Sequence, residues 1–302
     1  MARIKVFIPT LNAGSGFRDT LDALAVQDTP FELHVVDSGS SDGTAELARA
    51  AGATVDFISQ DRFDHGGTRN LAAREFEGSI VAFLTQDAVA MGRDWLTRLT
   101  RPIVVGDVAA CYGRQVPRSD SAPTERIARS FNYPDTSRTK SWNDIDALGV
   151  KAFFFSNVNS AVSVDAFREV GGFPERTILS EDMLLAVRLL RNGWSIRYAA
   201  DAAVFHSHDY TLSQEFQRHF DIGAFFAEWR DELPDVPLSG EGLRLVTRQC
   251  TTLLRTGAGR HVPRALASAG AKYTGYVLGT RFRWLPPICR RTLSMHKAYW
   301  RR

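Results

Sequence analysis

Between Ile4 and Leu84, short apolar runs that break into polar clusters alternate with stretches of helical spacing, and few architectures accept that pattern. Ile4–Thr10 (IKVFIPT) reads as a buried strand ended by Pro9, 31–37 (FELHVVD) as a second, 54–58 as a short third and Ile80–Leu84 as a fourth. Between them, 16–26 puts Phe17, Leu21, Leu24 and Ala25 at helical spacing, Asp42 stands where it would cap a helix over 44–51, and 68–76 is helical with Thr68 as its cap. Strands alternating with helices predict a doubly wound, parallel α/β sheet.

After about residue 100 the alternation loosens. Residues 108–116 read as a strand, 118–146 as polar and irregular, 153–163 as an extended strand, and 165–170 as a short helix stopped by Gly171-Gly172. Glu181–Arg191 reads as a helix with Met183, Leu184, Val187 and Leu190 inward. Two short strands follow at 196–198 and 203–205, then an aromatic-rich helix at 212–229. Pro234 and Pro237 mark a boundary at 231–240, giving a main domain at 1–230 and a basic helical region at 231–302.

The formal net charge of +3 conceals an asymmetry. Residues 241–302 hold 13 Lys and Arg against one acid, Glu241, a net +12; residues 1–240 hold 24 basic and 33 acidic residues, a net −9. A basic tail on an acidic body points to an anionic partner: nucleic acid, a membrane surface or an acidic substrate. No nucleic-acid motif accompanies the charge, which argues against nucleic acid. Leu243, Leu254, Tyr273, Trp284 and Trp300 are interspersed with the cations, as in interfacial helices, so the expected partner is an anionic membrane surface, with a solvated basic helical cap or a homo-oligomer contact as the alternatives. Cys111, Cys250 and Cys289 are widely separated and form no CxxC pattern, against a disulfide framework or a zinc site. With no signal-peptide pattern and no apolar run near ~18 residues, the expectation is a cytoplasmic chain, peripheral on the inner face of the cell membrane.

Small polar groups collect at the strand ends. Pro9-Thr10-Leu11-Asn12 closes the first strand and Asp37-Ser38-Gly39-Ser40 the second. Such residues also make ordinary turns, but two segments in succession favour a site for a nucleobase and ribose. The fourth strand runs into Thr85-Gln86-Asp87, whose single carboxylate is a candidate metal ligand. His206-Ser207-His208 follows an apolar run; one histidine joining Asp87, a diphosphate and waters would complete a six-coordinate Mg2+ or Mn2+. Asp64-His65-Gly66-Gly67-Thr68-Arg69 precedes a helix, where glycines, helix dipole and arginine favour a pyrophosphate. Ser180-Glu181-Asp182 opens another helix; acids there suit the dipole, and near a cleft they also suit a general base. The run at 153–160 (FFFSNVNS) reads equally as an acceptor cleft or a core strand. Neither GxGxxG nor GxxxxGK[ST] occurs, against dehydrogenase and kinase readings.

Together these residues resemble an inverting glycosyltransferase of the GT-A fold, in the large family two, over residues 4–210. Pro9–Asn12 and 36–44 look like its nucleotide-binding segments, Thr85-Gln86-Asp87 falls where the family has Asp-x-Asp, and Ser180-Glu181-Asp182 where it has the catalytic acids. The combination of FDHGGTRN, FLTQDA and HSHDYTLSQEFQRHFDIG is similar to bacterial rhamnosyltransferases of cell-surface polysaccharide (O-antigen) synthesis. The resemblance implies a mixed, mainly parallel sheet flanked by helices, with a donor half at 1–100 and an acceptor half at 101–230. It implies dTDP-L-rhamnose as donor, held by Pro9, Thr10, Asn12, Asp37, Ser38, Ser40 and Gln86. Asp87 with His206 or His208 would hold Mg2+ or Mn2+, and Arg69 would face the leaving dTDP. Asp182 would be the base, and Glu181 would orient the acceptor, a hydroxyl of a lipid-linked glycan. Rival readings are a UDP-hexose donor on the same fold, a nucleotidyltransferase using the loop at 12–18, and a non-catalytic nucleotide-binding partner.

Overall fold

The computed structural model describes residues 2–237 and 239–301. Met1 and Arg302, the outer ends of the two expected regions, and Leu238, inside the expected boundary, lie outside the described residues. The chain forms two compact units: Met1–Val116, Tyr133–Glu175 and Glu181–His206 in the first, and Pro117–Asn132, Arg176–Ser180 and Ser207–Arg302 in the second. The boundary expected at 231–240 falls within the second unit.

The first unit is built on one sheet of nine strands among the described residues: β1 (Ile4–Thr10), β2 (Glu32–Asp37), β3 (Thr54–Phe57), β4 (Ile80–Leu84), β5 (Val89–Ala90), β6 (Ala110–Val116), β7 (Arg138–Lys140), β8 (Asn159–Ser163) and β9 (Ile196–Phe205). The order is β3-β2-β1-β4-β8-β6-β9-β5, with β7 also on β9. β1 to β4 run parallel, β8 is antiparallel to β4 and β6, and β9 is parallel to β6 but antiparallel to β5 and β7. Every residue of β4 is buried, which requires cover on both faces of the sheet. Helices α1 (Phe17–Ala25), α2 (Thr44–Ala50), α3 (His65–Arg74) and α4 (Trp95–Val104) link the early strands. α1 buries Phe17, Thr20, Leu21 and Leu24, the i, i+3, i+4, i+7 stripe of an amphipathic helix. After α5 (Pro123–Asn132), which belongs to the second unit, come the single turns α6 (Ile145–Leu148) and α7 (Val150–Phe153), then α8 (Val164–Glu169) and α9 (Glu181–Arg191).

Several sequence expectations are corrected. α3 starts at His65, not Thr68, because Asp64 caps it by accepting from Gly67 N at 2.7 Å. Gly66 therefore sits inside the first turn, where a Cβ would lie 2.0 Å from the Pro174 carbonyl: the glycine serves packing. Asp42 stands one residue before the cap position of α2, although its carboxylate still accepts Thr44 N at 3.2 Å. Gly43 holds the cap position with φ 86°, and Asp42 also binds Thr44 Oγ1 and Gly14 N, tying the end of β1 to α2. Residues 118–146 are not irregular but hold α5 and β7, the latter ordered by tertiary contacts: Lys140 is buried and its amine donates to Tyr112 Oη and to the carbonyls of Lys151 and Phe154. Residues 153–163 are not one strand but α7, a loop and β8; short apolar runs carry no period that separates helix from strand. The two strands expected at 196–205 are one, β9, with a register shift opposite Gly113–Arg114. A Cβ on Gly113 would lie 2.0 Å from Ala202 O, so only glycine fits there.

The second unit is helical. α10 (Leu212–Glu228), α11 (Ser239–Arg255), α12 (Val262–Thr280) and α13 (Pro287–Leu293) follow one another. α10 and α12 meet backbone to backbone: a Cβ on Gly275 or Gly279 would fall 2.3 or 2.0 Å from the carbonyls of Phe216 and Phe220. Glu215 on α10 accepts from Arg264 and Ser268 at 3.0 and 2.8 Å and lies 3.4 Å from Lys272. Among the described residues no helix is long and apolar enough to cross a membrane.

Candidate active site

The ends of β1 and β2 form a closed polar network. Their parallel register sets Thr10 opposite Asp37. Asp37 is buried and accepts from Gly39 N, Ser40 N, Thr10 Oγ1 and Ser40 Oγ at 3.0, 2.7, 2.9 and 2.6 Å. Burial works against its charge, but the donors of Ser40, Thr10 and Gly39 outweigh it and hold the carboxyl below its usual range. Ser40 Oγ in turn accepts Asn12 N at 2.8 Å, and Gln86 Oε1 accepts Leu11 N at 2.9 Å. Asn12 has the left-handed φ of 44° and takes Ser41 N on its side-chain oxygen. Pro9, Thr10, Asn12, Asp37, Ser38, Ser40 and Gln86 are thus brought together. Ser38 Oγ is buried with no hydrogen-bond partner among the described residues.

The ends of β4 and β9 are open by contrast. β5 pairs antiparallel with β9, Val89 opposite Phe205, so one step further along the same register Ala88 comes opposite His206. Asp87 Oδ2 consequently lies 3.5 Å from His206 Nε2. The Asp87 side chain is 43% exposed, that of His206 only 6%. His206 Nδ1 faces Gln115 Oε1 at 2.9 Å. An amide oxygen only accepts, so Nδ1 donates to Gln115, and Nε2 is the ring nitrogen turned toward Asp87. Gln115 is oriented by donating to Tyr133 Oη and Ser156 Oγ at 2.7 and 3.0 Å. Thr85 Oγ1 is buried and has no partner among the described residues. His208 lies in the second unit, its ring 5.3 Å from that of Tyr210.

The third cluster joins α3, α9 and the loop before β8. Arg69 is buried, turned inward, and pairs with Glu181 at 3.1 Å while its Nη1 also donates to His65 O. Arg69 Nε has no partner among the described residues. Glu181 also accepts from Asn157 Nδ2 at 3.1 Å. Burial opposes the charge of Glu181, but Arg69, then His65, hold its carboxyl below the usual range. Asp182, partly exposed beside it, accepts Asn157 N at 3.0 Å and Met183 N at 2.8 Å. Burial, and next the charge of Glu181, push the Asp182 carboxyl up to about 7. The two adjacent acids thus differ in charge, Glu181 held ionised and Asp182 raised toward neutrality. Sequence reading did not single out Asn157 or Gln115. Gln115 had a signal, a lone amide inside the strand run ACYGRQV; Asn157 had none beyond its place in FFFSNVNS.

A covered sheet carrying polar strand ends, a carboxylate–histidine pair and a poised aspartate defines a nucleotide-sugar transferase of the GT-A fold. The chain belongs to glycosyl transferase family 2, whose family model matches residues 5–171, and it is a glycosyltransferase working on a nucleotide-sugar donor. It is 42% identical over 305 residues to the O-antigen chain rhamnosyltransferase RfbN of Salmonella typhimurium, covering 99% of this chain and 96% of the relative. The O-antigen chain rhamnosyltransferase WbaN of Salmonella anatum is 41% identical, at 99% and 96% coverage. Among solved structures, the mannosyltransferase PcManGT of Pyrobaculum calidifontis, in complex with GDP-Man and Mn2+, shares the fold with a TM-score of 0.58, 20% identity, and coverage of 99% of this chain and 85% of that one.

Proposed function

We propose that this chain transfers L-rhamnose from dTDP-L-rhamnose to a hydroxyl of a lipid-linked glycan during O-antigen-type polysaccharide synthesis at the inner face of a bacterial membrane. The near full-length identity to two O-antigen rhamnosyltransferases supports the sugar and the polymer. The observation that carries the mechanism is Asp182, raised to about 7 next to an acid that Arg69 keeps ionised. Asp182 takes the acceptor hydroxyl's proton as that oxygen attacks the anomeric carbon, and the bond to dTDP breaks on the opposite face, inverting the centre. Glu181 and Asn157 position Asp182. The ends of β1 and β2 hold base and ribose, with Asp37 shaping the loop that Asn12 and Ser40 present.

The residues fit a divalent cation: an exposed carboxylate, a histidine whose Nε2 faces it, and a hydroxyl at Thr85 with no partner among the described residues. Asp87 and His206 would hold Mg2+ or Mn2+, and His208 is the further candidate, since two residues of chain keep its Cα within roughly 8 Å of that of His206. When bound there, the ion would supply positive charge against that of the departing diphosphate. Arg69, with Nη1 committed to Glu181 and His65 O, bears on the leaving dTDP through its other N–H groups or through that pair.

The test is nucleotide release from dTDP-L-rhamnose, UDP-glucose, UDP-galactose and GDP-mannose, each with Mg2+, Mn2+ or EDTA. Metal-dependent release of dTDP alone is expected. Asp182→Asn should bind dTDP-L-rhamnose normally and lose turnover roughly a thousandfold. Release from a UDP or GDP sugar overturns the donor, and an active Asp182→Asn overturns the base.

A further inference from the structure

We propose that the turn and helix start at residues 281–291 form a docking knuckle for an anionic lipid surface, with Trp284 and Ile288 entering the headgroup layer and the arginines around them facing lipid phosphates. The inference deepens the lipid-linked acceptor reading and rests on it for its purpose. The observations lie wholly within the second unit.

Trp284 is 86% exposed and Ile288 75%, with exposed Pro286 and Pro287 between them. Large apolar side chains this bare are normally covered, and a tryptophan suits the boundary between water and lipid. The turn carrying Trp284 is braced rather than loose. Phe282, two residues earlier, is only 8% exposed, with its ring 5.3 Å from Trp300. Arg290 reaches back to donate to Leu285 O at 2.8 Å and Arg283 O at 3.1 Å, the carbonyls on either side of Trp284. Phe282 anchors the turn inward while Trp284 is held out.

Charge selects the occupant. Arg281, Arg283, Arg291 and Lys297 are exposed, and no acid follows Glu241 in the sequence. The groove beside Trp284 adds Arg230, Asp231 and Asp235, which leaves the patch cationic. A second copy is a poor occupant, because a two-fold contact would set these arginines against themselves. An anionic bilayer supplies both the apolar depth for Trp284 and Ile288 and the phosphates for the cations.

The test is co-sedimentation of the full chain with phosphatidylcholine vesicles, with and without phosphatidylglycerol. Binding should require phosphatidylglycerol and weaken with salt. Trp284→Ala with Ile288→Ser should lower partitioning by roughly tenfold or more, while dTDP release without acceptor stays unchanged. The proposal is overturned if the wild type ignores phosphatidylglycerol, if the double variant binds as the wild type does, or if only neutralising Arg244, Arg248 and Arg255 on α11 abolishes binding. A concentration-dependent rise in mass that Trp284→Ala removes would assign the patch to a second copy and overturn it too. Failure of the glycosyltransferase reading would appear separately, as absent nucleotide release from every donor.

Discussion

Asp37 and Asp87 both stand at or just past the C-terminal ends of buried parallel strands, and the fold uses them in opposite ways. Asp37 has four donors and no exposure; its charge is spent holding a loop in shape. Asp87 is nearly half exposed and faces His206, with a buried hydroxyl two residues before it that has no partner among the described residues. The difference teaches that residue type at a strand end says little about role. The number of donors already satisfied decides whether a carboxylate builds the site or serves it.

The comparison breaks most directly through paired substitutions. Asp87→Ala should lower rhamnosyl transfer on the order of a hundredfold and abolish its response to Mn2+, with thermal unfolding almost unmoved. Asp37→Ala should instead destabilise the fold by about 2 kcal/mol, as Gly39 N, Ser40 N and Thr10 lose their acceptor, read as a lower midpoint in thermal or urea unfolding. If Asp37→Ala kept its midpoint while Asp87→Ala unfolded early, the roles would be reversed.

A smaller effect sharpens the contrast through pH. Asp182 has a raised folded-state carboxyl, about 7, against roughly 3.9 unfolded. A raised acid favours folding in its protonated form. That contribution is whole below the unfolded value and is lost as pH climbs through about 7. Catalysis needs the other form, so kcat/KM should rise across the window in which stability declines. Asp182→Asn removes the ionisation, and its unfolding midpoint relative to wild type should climb between pH 4 and 8; a flat difference would contradict the assignment. Asp37 carries the opposite sign: its carboxyl is depressed, so its support is present at neutral pH and fades in acid.

Local patterning made most of the donor half legible. β1, β2, β4, α1 and α9 lie within a residue or so of where strand runs and helical spacing put them, because apolar periodicity is written in neighbours. Legibility failed where long-range contacts chose the structure. α5 buries none of its residues completely, and its apolar stripe is short, Ile127 and Phe131 within a mostly polar run. β7 exists through pairing with β9. Gly66 reads as part of a ligand loop, and only the fold shows Pro174 packed against it.

The site divides in the same way. Sequence by itself determined which chemical groups gather at the strand ends and at the start of α9, since turn chemistry and caps are local. Tertiary structure alone decided their employment. The β5–β9 register set Asp87 against His206, Gln115 oriented the imidazole, and Arg69 chose Glu181, leaving Asp182 as the acid that titrates near neutrality. The physical reason is that hydrogen-bond register and charge pairing join residues far apart in the chain, and a side chain's ionisation depends on which of those partners reaches it first.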